Sequence, residues 1–144
     1  MNTKYIATLA AMLAVPALVV SCDGQNYSTP EGFIKGEIKL MKDFAEAAKA
    51  CDKDNIAGFE SAIKGLTDTQ NLINKGLEAM TPEQKEEIKK LGEGQYADEM
   101  QKAGGALQEA MGALAEKLGI EGVEKLKPAL EAFEKALEPL FAME

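Results

Sequence analysis

The chain has 144 residues, a length that suits one domain, and sets 24 Asp and Glu against 16 basic residues for a net charge of −8. That balance argues against nucleic acid or an anionic bilayer surface as a partner, because both call for a basic patch. Every basic residue is Lys, and the absence of His removes the commonest general base together with Ser-His and Cys-His nucleophile pairs.

In chain order, the first element is MNTKYIATLAAMLAVPALVVSC, residues 1–22. One Lys precedes an apolar stretch from Tyr5 to Val20 in which Thr8 is the one polar residue, and small residues follow. This is the charged, apolar and cleavage-region order of a secretory signal peptide. The stretch falls short of the roughly twenty residues of a membrane-spanning helix, and Pro16 would interrupt one. Val19, Val20, Ser21 and Cys22 then resemble the lipobox of bacterial lipoproteins. The resemblance implies that Cys22 is diacylglycerated, that the peptide is cut before it, and that Cys22 becomes the acylated first residue. Two or three acyl chains, at about 0.8 kcal/mol per buried methylene, hold a domain on a bilayer where one chain does so only marginally. An ordinary signal peptide with an incidental cysteine and an uncleaved anchor are the alternatives. In this family an Asp after the cysteine, here Asp23, accompanies inner-membrane retention in some bacteria, and nearby acidic residues accompany surface export in others. The membrane and its face therefore stay open.

The expected organisation is a signal peptide over 1–21, a lipidated tether over 22–29 and a helical bundle over 30–144. Cleavage removes Lys4, leaving 15 of the 16 Lys against all 24 acidic residues. The tether CDGQNYST is polar, and extended it would hold the domain roughly 20 Å from the headgroups.

The first helix opens at STPEG, with Ser28 or Thr29 as cap, Pro30 in the first turn and Glu31 on the helix dipole. Ile34, Ile38, Met41, Ala45 and Ala48 form its apolar stripe, with Phe44 and Cys51 beside it. DKDN breaks the pattern, and Asp54 is the candidate cap of the next helix. The second stripe alternates three and four throughout: Ile56, Phe59, Ile63, Leu66, Gln70, Ile73, Leu77 and Met80. Gln70 is its one polar member. Buried, it would need a partner and could fix register; the expected position is the wet edge of the stripe.

The third helix starts at MTPEQ, where Thr81 and Gln84 make a capping box behind Pro82. GEG at 92–94 kinks or breaks it. The pattern resumes with Tyr96, Met100, Ala103, Leu107, Ala110, Leu114 and Leu118, and Gly119 is a natural stop. Ile120, Val123, Leu126, Leu130, Phe133, Leu137 and Leu140 make the last stripe. Pro128 should kink that helix or start a new one, and Pro139 should end it. The fold class expected is all-α, an up-and-down bundle of about four amphipathic helices. Gly58, Gly65, Gly105 and Gly112 fall off the stripes, either where another helix comes close or on open surface.

Sites for chemistry are few. The carboxylates lie among Lys at helical spacing, as in Glu131 with Lys135, and read as solvated faces. DKDNIAGFE begins like a calcium loop, but Ile56 and Ala57 stand where an oxygen ligand and a Gly are wanted, so helix capping is the expectation there. Lipidation leaves Cys51 as the sole thiol, either a small buried hydrophobe or a link between two chains. Met41, Met80, Met100, Met111 and Met143 are expected in the core rather than along an adaptable groove. No catalytic residue, metal site or cofactor is expected.

LTDTQ (66–70) and MTPEQ (80–84) resemble the Leu-Thr-x-x-Gln motif of Spy-like periplasmic chaperones. That resemblance implies a small helical protein that cradles unfolding clients. The second string has Met for Leu, and the family's cradle is basic where this chain is acidic.

The functional expectation is a non-catalytic helical interaction or structural module of the cell envelope, lipid-anchored through acyl chains on Cys22, with a protein partner and no nucleic acid. The alternative is a Spy-like chaperone or a carrier of apolar ligands. A protein opening onto lipid is a third reading that the acidic charge disfavours. Self-association through the glycine-marked faces would fit any of them.

Overall fold

A computed structural model describes residues 26–142; the expected signal peptide over 1–21, Cys22 and Met143 lie outside the described residues. The described chain is all-helical, with no strand in it. Four helices follow in order: α1 (Pro30–Ala50), α2 (Ile56–Glu78), α3 (Pro82–Glu93) and α4 (Ala97–Phe141).

α4 is two helical arms. Gly119 interrupts it with φ 63° and ψ −174°, a region open essentially to glycine alone. The first arm runs alongside α1: Tyr96 at its base bonds to Glu31 at the start of α1, and Lys117 near its end donates to the Lys49 carbonyl at 3.1 Å. The second arm returns along α2, with Gly122 beside Ile56 and the Ala136 carbonyl beside Asn74. The result is the expected up-and-down order, with short α3 inserted before the second pair.

The stripes form one core. Phe44 of α1 is its hub, edge-on to Phe59 of α2 at 5.8 Å between ring centroids and tilted against Phe133 of α4 at 5.0 Å. Met41, Met80 and Met111 are core residues, and Met100 packs against them partly buried. Cys51 is buried, 2% exposed, as a small hydrophobe would be.

Local hydrogen bonds explain the helix ends. Thr29 Oγ accepts from the Gly32 N–H at 3.1 Å, so Thr29 rather than Ser28 caps α1. Thr81 and Gln84 close the capping box of α3, and GEG ends that helix. Asp54 does not cap α2. The N-cap residue is Asn55, and its side chain turns back to the loop, accepting from Asp52 N–H at 2.7 Å and donating to the Ala50 carbonyl at 3.0 Å. Asp52 in turn accepts from the N–H groups of Asp54 and Asn55. DKDN is therefore a self-closed turn rather than a cap.

Three further expectations change. Of the two outcomes expected at Pro128, a kink or a new helix, no new helix begins: Pro128 is exposed and helical backbone runs through it. Pro139 does not end α4, which continues to Phe141. Ile120 is 71% exposed, because the turn at Gly119 throws the next residue out of the phase of the stripe.

The glycine question also resolves. Gly58, Gly65, Gly105 and Gly112 face open space. The close approaches are at Gly32 and Gly76, where an added Cβ would overlap the backbone of Asn26 and Tyr27 respectively. Asn26 holds the turn that follows, accepting from Ser28 N–H at 3.0 Å and from the Thr29 hydroxyl at 3.1 Å. Tyr27 packs partly buried against the core. The segment expected to be free tether up to residue 29 is thus folded onto the bundle from Asn26 onward.

Candidate functional site

The most distinctive chemistry lies inside the bundle. On α1, Glu37 stands three residues after Ile34 and four before Met41, the spacing of a shared face. On α2, Gln70 and Asn74 stand four apart on the inward face. Packing of α1 on α2 encloses all three, with Glu37 2% and Gln70 0% exposed and Asn74 also buried. Gln70 is not at a wet edge. The expectation fails because Glu37 and Asn74 supply the partners that make its burial tolerable.

The three side chains form a chain of hydrogen bonds. Gln70 Nε2 donates to Glu37 Oε1 at 3.1 Å and to Asn74 Oδ1 at 3.2 Å. Asn74 Nδ2 donates to the Ala136 carbonyl at 2.7 Å. That carbonyl belongs to the second arm of α4. The chain therefore links α1, α2 and the second arm of α4 in a fixed register. Gln70 Oε1 is buried and has no partner.

Burial pushes the Glu37 carboxyl well above its ordinary value, and the Gln70 hydrogen bond offsets only part of this. Among the described residues Glu37 is the one Asp, Glu or Lys that is buried; the others are exposed or half-exposed. The cluster can hold a proton and lock helices together. It offers no activated nucleophile.

A second group sits at the base of α1. Tyr96 Oη donates to Glu31 Oε1 at 2.7 Å, and Lys35 reaches the same oxygen at 2.7 Å. Lys35 and then Tyr96 hold the Glu31 carboxyl below its ordinary value, while burial and then Glu31 push the Tyr96 phenol up. Glu31 is exposed, so this is a surface pin between α1 and the base of α4.

The residues singled out by sequence divide as follows. Cys22, the expected lipidation site, lies outside the described residues. Cys51 is enclosed, and burial together with nearby Asp52 raises its thiol above the ordinary value. In the two Leu-Thr-x-x-Gln-like strings, Thr67 donates to the Ile63 carbonyl at 2.8 Å, Gln70 joins the buried chain, and Thr81 and Gln84 form the capping box. No group of three or more metal-ligating side chains occurs among the described residues. Glu37 and Asn74 were missed by stripe reading because both are polar. The signal that finds them is their phase, on the same faces as Ile34, Met41 and Gln70.

No family model matches this chain, and neither a characterised protein nor a solved structure matches it.

Proposed function

We propose that the protein is a lipid-anchored module of the cell envelope that acts without catalysis, as a helical interaction or structural unit. The observation that carries this reading is Cys22 in the lipobox-like VVSC behind a signal-type apolar stretch. The described fold is compatible with it. The bundle begins at Asn26, so Asp23, Gly24 and Gln25 are the chain left between it and Cys22, a reach of at most about 14 Å. An acylated Cys22 would hold the Asn26 end of the bundle close to the headgroups. The surface away from the core carries exposed Leu72 and Ile120 and the open glycines of α2 and α4, which suit a partner that packs closely on helices.

The test of anchoring is metabolic labelling with a fatty acid, in wild type and in Cys22→Ala. Loss of label and retention of the precursor in the variant support the reading; normal processing of the variant sinks it. Crosslinking in intact cells then separates the roles. One or two dominant partners indicate an interaction module, a broad set of unrelated envelope proteins indicates the chaperone alternative, and crosslinks to itself alone indicate a structural oligomer or a carrier.

A further inference from the structure

We infer that Glu37 carries a proton in the folded protein and donates it to Gln70 Oε1, making the pair a latch between α1 and α2 that rising pH releases.

The argument begins at the far end of the chain. The Ala136 carbonyl can only accept, so the 2.7 Å contact fixes the Asn74 amide with its nitrogen toward Ala136 and its oxygen toward Gln70. Asn74 Oδ1 also can only accept, so Gln70 must turn its nitrogen toward it. The same nitrogen faces Glu37 Oε1, which takes its second hydrogen. Both Gln70 donors are then used, and neither amide can flip without setting oxygen against oxygen.

This leaves Gln70 Oε1 as a buried acceptor with no donor. An ionised Glu37 has none to give; a protonated one has a single O–H, beside the same amide. The last torsion of a glutamate is broad and roughly two-fold, so either oxygen can carry the proton. One proton thus completes the set: each buried acceptor of the chain has a donor, and no net charge is left in the core.

The surroundings favour the neutral acid. On its own helix, Glu37 is flanked by buried Phe33, Ile34, Leu40 and Met41. From α2 it meets Gln70, and the other buried residues of α2 and α3 carry no ionisable group. The buried residues of both α4 arms are apolar or Gly, and the acids and Lys of the second arm, Glu134, Lys135 and Glu138 among them, are exposed or half-exposed. The two influences on the carboxyl are burial, which raises its pKa, and Gln70, which lowers it by less. The folded protein therefore binds this proton more tightly than the unfolded chain. Its contribution is fully present below the unfolded value, about pH 4.3, and is lost as pH rises through the folded value.

The experiment compares wild type with Glu37→Gln by denaturant unfolding from about pH 5 into the alkaline range. An amide at position 37 offers Gln70 a donor that does not titrate. We expect the folding constant of wild type to fall relative to the variant by about tenfold per pH unit until the folded pKa is passed. Every other titration is common to both chains and cancels in the ratio. A ratio independent of pH overturns the proposal. Should the variant fail to fold, carbon-13 NMR of glutamate-labelled wild type decides alone. One carboxyl still in its acid form at neutral pH supports the latch. All carboxyls ionised, with a long-lived buried water at Gln70, overturns it.

Discussion

Gly76 of α2 lies directly beneath the backbone of Tyr27, so closely that a methyl group there would overlap the Tyr27 carbonyl. The contact seats the start of the described chain, at Tyr27, on the end of α2.

Gly76→Ala should lift that segment. Overpacking against backbone costs about 1–3 kcal/mol, which should outweigh the ordinary gain of Ala over Gly in a helix. Urea unfolding measures it, and limited proteolysis near Tyr27 should quicken. Gly65→Ala is the control. Gly65 faces open space on the same helix, and the change should stabilise by about 0.5–1 kcal/mol.

Gly119→Ala should cost about 1–3 kcal/mol, although nothing lies within 4 Å of the new methyl group. The cost is backbone strain at φ 63°, and it falls on the turn that reverses the chain between the two arms. A stability equal to wild type would mean that the arms meet by some other geometry.

Asn74→Ala should destabilise by about 1–3 kcal/mol, because it strips the Ala136 carbonyl of a donor and Gln70 of an acceptor inside the core. Thermal unfolding of the variant should retain cooperativity and shift downward. An unchanged midpoint would show that water replaces the amide.

Cys51 should react with thiol reagents far more slowly in the folded chain than in urea, since it is enclosed and its thiolate is disfavoured. Reaction rates followed by mass spectrometry check this. Rapid native labelling would place the thiol within reach of a second chain.

Much of the fold was legible in the residue pattern. Apolar residues at alternating three and four report helical phase directly, and the stripes of α1, α2 and α4 are the core of the bundle. A cap at Ser28 or Thr29, the capping box at Thr81 and the break at Gly119 were also readable, because each depends on side chains or backbone freedom within a few residues. The same locality misled at DKDN, where Asp52 and Asn55 bond to each other's backbone and leave the start of α2 uncapped.

The sequence by itself determined the helical class, the breaks near DKDN, GEG and Gly119, and the lipobox-like motif, since periodicity and short-range hydrogen bonding are properties of neighbouring residues; it placed breaks at Pro128 and Pro139 that the helix runs through. Tertiary structure alone decided what becomes of Gln70. Its partners are Glu37, 33 residues away, and Asn74, whose own anchor at Ala136 is a further 62 residues along. Whether a polar side chain is wet or buried depends on which helices meet there, and on whether they bring enough donors and acceptors to replace water.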